Sequence, residues 1–242
     1  LDIAREYGLG VEIQRFADPI ILSNTQLDQM IEAAKSQLAA ITGPVGFHGP
    51  FIDTIHYSPD PEIMAVSRKR YLQALDIASR IGARFVIFHS QYNEQIRIPE
   101  YPDIYHTHSL RFWPDILDRA DTLGLRIYLE NMFDASPTAL CRLLDTLDHP
   151  ALGLCFDIAH ATLHSTLDTE NWCMAFQPYL KHIHLSDCHG QFDDHIALGT
   201  GANDIPRFFH TLTTLDCAPT FTLETGLHTR QSLTYLRLAP VP

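Results

Sequence analysis

Seven short apolar runs in this sequence each end at or beside a carboxylate or an imidazole: Glu12, His48, His89, Glu130, Asp157, His184 and Glu224. Chance would leave mostly apolar or small residues at such ends. Oxygen and nitrogen donors of this kind suit Zn²⁺, Mn²⁺, Co²⁺ or Fe²⁺ better than a thiolate-seeking metal. Carboxylates gathered at one place repel one another unless a cation, a proton or an Arg compensates them. Glu130, Asp157 and Glu224 have no Lys or Arg within two residues of them in the chain. A divalent cation is the economical compensator. Taken singly, a strand-end His is more often structural than a ligand, and a strand-end acid often caps a loop. The seven together point to a site. Glu12 is the weakest member, because Val11-Glu12-Ile13 fixes neither its face nor its depth.

Two local clusters sharpen the pattern. His160 follows Asp157 by three residues, a spacing that puts both on one side of a first helical turn. His182 and His184 share one strand face, and His184 lies nearer the strand's C-terminal end, which makes it the better ligand. Asp193-Asp194-His195 then falls in a loop, followed by Leu198-Gly199-Thr200-Gly201. The glycines permit a tight turn before a helix capped by Asp204. That helix start offers a place for a phosphate, although a structural turn is the simpler reading.

The elements that must position these residues repeat from end to end. The predicted strands are Val11–Phe16, Val45–His48, Phe85–His89, Arg126–Glu130, Leu152–Asp157, His182–Leu185 and Thr220–Glu224. They are continuously apolar, as in strands buried on both faces. Helical stretches separate them. Asp60-Pro61 starts one that runs towards Gly82, Ser109 opens one that closes at Gly124, Ser136-Pro137 precedes Thr138–Leu147, and Asp204 caps another with Pro206 in its first turn. This alternation is that of an α/β fold with parallel strands. A (β/α)₈ barrel gathers the strand ends at one mouth but needs eight strands. Leu1–Gly8 reads as a helix tail without a strand, so the first strand is expected upstream of Leu1. A seven-stranded or split barrel is the other possibility. A doubly wound open sheet is the runner-up, but no Gly-x-Gly-x-x-Gly follows an early strand. No linker interrupts residues 1–242, which reads as a single domain.

Composition narrows the partners. The 242 residues carry a formal charge of -12, with only three Lys. Such an acidic chain repels a phosphate backbone, which disfavours nucleic acid as a partner. No apolar run reaches the length of a spanning helix, so no membrane partner is expected. Five cysteines, without a Cys-x-x-Cys pair, fit a reducing, cytoplasmic setting rather than a disulfide framework. The sequence leaves a homo-oligomer open.

These segments resemble the xylose isomerase-like TIM-barrel superfamily, which holds sugar and sugar-phosphate isomerases and epimerases and the apurinic endonuclease IV family. The resemblance runs from Val11 to Glu224. It rests on Phe47-His48-Gly49-Pro50, Phe88-His89, Leu129-Glu130-Asn131, Phe156-Asp157-Ile158-Ala159-His160, His184-Leu185-Ser186-Asp187, Asp193-Asp194-His195 with Leu198-Gly199, and Leu223-Glu224. Each segment alone is a weak signal; their order and spacing together are strong.

The resemblance implies two branches. In the epimerases, a Glu, Asp, His and Glu set holds one divalent metal (Zn, Mn or Co). It falls here on Glu130, Asp157, His184 and Glu224. The two glutamates, Glu130 and Glu224, also form the catalytic pair, moving a proton by way of an enediolate. In the endonuclease branch three zinc ions are held. His48, His89 and Glu130 would take one. Glu130, Asp157, His184 and Glu224 would take the second, and His160, Asp193 and His195 the third. All nine positions carry a fitting residue type. Departures favour the first branch. His89 is followed by Ser-Gln-Tyr, Asn131 by Met-Phe-Asp, and no basic, aromatic-rich insertion grips a duplex. The expected function is therefore a metal-dependent sugar or sugar-phosphate isomerase or epimerase. A trinuclear phosphoesterase is the alternative, and a non-catalytic carbohydrate-binding barrel is a third reading. His48, His89, His160, Asp193 and His195 are then additional metal or substrate residues. Phe51, Trp113, Phe133 and Trp172 are candidate ring surfaces for a sugar, and Arg97, Arg111 and Arg207 are the arginines available to a phosphate.

Overall fold

A computed structural model describes residues 1–215 and 217–238. Its strands are β1 (Val11–Ile13), β2 (Val45–His48), β3 (Phe85–His89), β4 (Arg126–Glu130), β5 (Leu152–Asp157), β6 (Leu180–Leu185) and β7 (Thr220–Leu223). They lie in one seven-stranded sheet in chain order. The β1–β2, β2–β3, β5–β6 and β6–β7 pairs are parallel. The helices are α1 (Asp2–Tyr7), α2 (Pro19–Leu22), α3 (Leu27–Leu38), α4 (Pro61–Arg80), α5 (Tyr101–Thr122), α6 (Thr138–Leu147), α7 (Ile158–His164), α8 (Thr169–Phe176), α9 (Ile205–Thr214) and α10 (Thr229–Leu238). Parallel strands in chain order with helical crossovers make this a TIM barrel. No helix among the described residues is long and apolar enough to cross a membrane.

Local chemistry explains most boundaries. Asp60 Oδ1 accepts from the Glu62 amide at 2.8 Å, Pro61 occupies the first turn, and Gly82 takes the left-handed conformation beyond the end of α4. Asp204 caps α9 in the same way through the Arg207 amide. Two expectations need correction. β1 ends at Ile13 rather than at Phe16, and Arg15–Ala17 form a 3₁₀ turn. Phe16 reaches the core from that turn and stacks on Phe47 at 6.1 Å, so its apolar character reported burial and not strand. Ser109 does not open a helix either. It lies inside α5, which begins at Tyr101, because burial of Tyr101 and Tyr105 extends the helical face upstream.

Two compact units can be distinguished. The first comprises residues 1–91, 98–129 and 143–152, the second residues 92–97, 130–142 and 153–242. The first is centred on an aromatic cluster. Tyr71 stacks on Phe88 at 4.1 Å, and both pack on Trp113. Gly49 is required by close approach: a Cβ there would lie 2.2 Å from the Phe88 ring and 2.9 Å from the Ile87 carbonyl. The Gly49 amide instead reaches Ile87 O at 2.8 Å, which fixes the chain just after His48. In the second unit Phe156 stacks on Trp172 at 5.7 Å, with Phe176 and Phe208 against the same ring of Phe156.

His56 sits fully buried within the first cluster, its Nε2 3.1 Å from Ser109 Oγ. Burial lowers its pKa to about 3, so the ring is neutral. The unfolded chain takes up this proton near pH 6.5, well before the folded chain does. The stability that neutral His56 contributes is full above that pH and is lost as pH falls towards 3. Between pH 7 and pH 5 this one group is expected to remove about 2 kcal/mol. Urea unfolding of the wild type and of His56→Phe at both pH values checks it. The wild type should lose about that much more than the variant.

Candidate functional site

The second unit holds Glu130 at the end of β4, Asp157 at the end of β5, His184 in β6 and Glu224 just after β7. Their apolar neighbours Leu129, Phe156, Ile183 and Leu185 are buried, which locks the strand ends in place. Register pairs Asp157 with His184, and Leu185 with Leu223. One donor atom from each of Glu130, Asp157, His184 and Glu224 lies within 4.8 Å of the other three. His184 Nδ1 is 3.1 Å from Glu130 Oε1 and 3.3 Å from Glu224 Oε2. His182 instead turns to β7, with Nδ1 2.6 Å from Thr220 Oγ1 and Nε2 2.9 Å from Thr222 Oγ1.

The four residues fit a divalent cation on electrostatic grounds. Glu130, Asp157 and His184 are buried, and Glu224 is half-buried. Asp157 Oδ1 accepts from the His160 amide at 2.7 Å, whereas the buried Oδ2 has no hydrogen-bond partner among the described residues. Burial raises the Asp157 pKa and the charge of Glu130 raises it further, against the opposing pull of His160 and His184. A buried carboxylate in that state needs either a proton or a cation. Three carboxylates and one imidazole form a hard, borderline donor set suited to Zn²⁺, Mn²⁺ or Co²⁺.

Further groups surround this set. Asn131, in sequence only part of a motif, has a definite task. Its Oδ1 accepts from the Asp157 amide and its Nδ2 donates to the Asp157 carbonyl, both at 2.9 Å, tying the ends of β4 and β5 together. His160, on α7, donates from Nδ1 to the Asn131 carbonyl at 2.9 Å. Its Nε2 is 3.3 Å from Asp193 Oδ2. His195 repeats the arrangement: Nδ1 donates to the Glu224 carbonyl at 2.7 Å, and Nε2 is 3.2 Å from the same Asp193 oxygen. His195 holds a left-handed backbone, φ 44°, which a non-glycine residue adopts only when its surroundings enforce it. Asp193 is held well below the usual carboxylate range: burial opposes its charge, but hydrogen bonds from His160 and His195 outweigh it. The bond to Asp193 pushes His195 up to about 9 against the opposing burial. Burial likewise works against charge on His160, yet Asp157, Asp193 and Glu130 carry it well above its ordinary value.

His48 and His89 belong to the first unit, at the ends of β2 and β3. Their rings meet edge to face at 5.0 Å. Phe51 stacks on His89 at 4.8 Å and is 38% exposed. Gln91, at φ 57°, donates to the Phe51 backbone carbonyl at 2.9 Å. Glu12 is half-buried on β1 of the same unit. Of the four aromatic candidates, Phe51 and Phe133 keep exposed faces, and Phe133 meets His164 edge on at 5.2 Å. Trp113 and Trp172 are fully buried in helix-to-sheet packing and are corrected to core residues. Arg207 is engaged by Glu170 at 2.7 Å.

Residues 1–238 match the family model described as xylose isomerase-like TIM barrel. The chain belongs to that family. Among solved structures it is similar to the TTHB071 protein of Thermus thermophilus, soaked with ZnCl2. Sequence identity is 30%, with a TM-score of 0.82, covering 98% of this chain and 91% of that one. It also shares the fold of a D-tagatose 3-epimerase-like protein, with 18% identity and a TM-score of 0.78, over 95% of this chain and 88% of that one. An uncharacterised protein of Methanocaldococcus jannaschii, MJ1311, is 26% identical over 165 residues, 64% of this chain. The match spans 55% of the length of that relative.

If Asp157 Oδ2 is a metal donor, Asp157→Ala should weaken zinc binding by more than about 100-fold. The zinc-dependent rise in melting temperature of the chelator-treated protein should vanish with it. An undiminished rise in the variant would remove Asp157 from the donor set.

Proposed function

We propose that this chain is a divalent-metal-dependent isomerase or epimerase of a sugar or a closely related hydroxy-ketone, acting as one catalytic barrel. The observation that carries the reading is the placement of two glutamates, Glu130 and Glu224, within about 3 Å of one imidazole nitrogen, with Asp157 completing the group. The family and the epimerase-like neighbour support it. Glu130, Asp157, His184 and Glu224 would hold the cation, whose bound charge polarises the carbonyl and hydroxyl oxygens of the substrate. One glutamate takes the proton from the carbon beside the carbonyl, and the other delivers a proton to the neighbouring carbon or to the opposite face. The transfer starts with one glutamate ionised and the other protonated; a turnover swaps their protonation states, and proton exchange with solvent resets the pair. Exclusion of water around the buried Glu130 and Asp157 strengthens these electrostatic effects.

Glu224→Gln keeps the shape of the side chain and removes its basicity. It should lower exchange of the substrate's carbon-bound proton with solvent deuterium by about 10²–10⁴-fold while leaving the melting temperature of the fold intact. Unchanged exchange would exclude a base role for Glu224.

One observation favours a second reading, a multinuclear phosphoesterase. His160 and His195 each donate Nδ1–H to a backbone carbonyl and turn Nε2 to Asp193. That outer hydrogen bond is the one that commonly orients metal-ligating histidines. Elemental analysis of protein purified without chelator separates the two readings. About one metal per chain is expected for the isomerase. Close to three, with one of them and nearly all phosphoester hydrolysis lost in His195→Ala, would establish the other.

A further inference from the structure

We propose that His164, with the ring of Phe133 against it, is a specificity-determining residue that takes a substrate hydroxyl remote from the carbons that exchange protons. The inference rests on the isomerase reading for the site it extends. Both residues lie outside the segments that carry the family resemblance. Phe133 stands in the Met-Phe-Asp run after Asn131, and His164 stands four residues beyond His160.

The helix that carries His164 starts directly at the end of β5. Asp157 caps α7 through the His160 amide. Residues four apart share one helix face, so His164 continues the face that presents His160. His160 is turned to the donor set, with Nδ1 3.3 Å from Glu130 Oε1 and Nε2 3.3 Å from Asp193 Oδ2. His164 lies one turn further along, roughly 6 Å. It feels the charges of both His160 and Asp193, which puts it on the same side of α7 as that pair. The proposed proton transfer takes place beside Glu130 and Glu224, so a group one turn away meets the far part of the same molecule.

Phe133 reaches this place from the loop after β4, the strand next to β5. Asn93 and Phe133 form a parallel bridge, the Met132 amide donates to Asp134 Oδ2 at 2.9 Å, and Ser136 Oγ lies 3.2 Å from Glu94 Oε1. The two walls are tied together. Ser165 Oγ donates to the Ala135 carbonyl at 2.7 Å and accepts from Trp172 Nε1 at 3.2 Å. The edge-to-face contact of Phe133 and His164 at 5.2 Å is therefore held from both sides.

A histidine with a purely structural task at a helix end would bond the last carbonyls. Here the Ser165 amide closes α7 on the Ala161 carbonyl at 2.9 Å. Neither ring nitrogen of half-buried His164 has a hydrogen bond among the described residues. Burial and the charge of His160 lower its pKa against the pull of Asp193, so the ring is neutral at pH 7. One nitrogen then donates and the other accepts. A sugar hydroxyl does both as well. The exposed face of Phe133 beside it suits the C–H face of the same part of the sugar. Because both rings are already fixed, little side-chain freedom is lost on binding.

Two measurements test this. Histidine side-chain nitrogen resonances of the zinc-loaded protein are followed while D-fructose, D-tagatose or the shorter ketose erythrulose is added. The His164 signals, assigned by their loss in His164→Phe, should shift saturably with at least one hexose and stay still with erythrulose. Hexose binding that raises the melting temperature but leaves His164 unmoved would overturn the proposal, as would equal shifts with erythrulose or no saturable shift with either hexose. Deuterium exchange separates this from the isomerase reading. A shift without exchange would sink that reading alone, and exchange with His164 unmoved would sink this assignment alone. In the second measurement, His164→Phe keeps a ring against Phe133 and loses both nitrogens. It should lower kcat/KM for the hexose relative to erythrulose by roughly 10-fold, with the loss carried by KM. His164→Gln, whose amide also donates and accepts, should recover part of it. An unchanged ratio, or a loss shared equally by erythrulose, would overturn the role of His164.

Discussion

Three carboxylates gathered around one imidazole impose the constraint to which the rest of this site answers. Glu130 and Asp157 are buried, and Glu224 is only partly open to water. Charges so placed cannot be screened, and each raises the cost of ionising the next. Glu130 pairs with His160 and His184, Asp157 with His160, and Glu224 with His184. Such a cluster stays together only if the backbone holds it rigidly and a cation or protons supply the missing positive charge. The parallel strands provide the first condition. Apolar residues on both faces of β4, β5 and β6 fix the strand ends, and the paired hydrogen bonds of Asn131 fix the distance between two of them. The donor set would supply the second by holding a divalent ion.

The outer residues answer the same constraint at one remove. His160 and His195 spend one ring nitrogen each on a backbone carbonyl, which sets their tautomer and aims the other nitrogen at Asp193. Asp187, in the loop after β6, accepts the amides of Cys188, Gly199, Thr200, Gly201 and Asn203. It does for the loop backbone what a metal would do for the carboxylates: a single charge gathers dipoles that would otherwise point into an empty, buried space. Five amides on one carboxylate is also a costly arrangement to disturb, since each would be left without a partner. The acidic character of the sequence is therefore not spread evenly. Part of it is turned inward, as scaffolding for loops and as charge that a cation or protons would balance.

Much of this was legible in the residue order. β2, β3, β4 and β5 fall on the boundaries expected from their apolar runs, because strands buried on both faces leave a continuous signal in sequence. Their terminal acids and histidines stand out against that background. What failed was reading burial as secondary structure. Phe16 is core but not strand, and Ser109 is a polar residue inside a helix because it bonds buried His56. Asn131 and Asp187 escaped for a different reason. Their partners are backbone amides and carbonyls, which carry no residue identity, so no pattern of side chains announces them. The only trace is indirect: glycines at 199 and 201, and an Asn directly after a strand-end Glu.

The His160–Asp193–His195 triangle shows how a single donor set can serve two chemistries. With both imidazoles protonated, Asp193 receives two charge-assisted bonds, and the cluster keeps one net positive charge beside the Glu130–Asp157–Glu224 group. In that state it is an electrostatic counterweight that favours ionised glutamates. With both Nε2 atoms deprotonated, each ring offers a lone pair beside the Asp193 oxygen, at 3.3 Å from His160 and 3.2 Å from His195. The two states differ by two protons against one dication, so the net charge near the glutamates hardly changes. Binding an additional metal would alter the available chemistry from moving a proton to activating water, without rearranging the barrel. The choice between them is therefore set by how firmly Asp193 holds the two protons, and so by the strain and hydrogen bonds that fix the loop on which Asp193 and His195 stand.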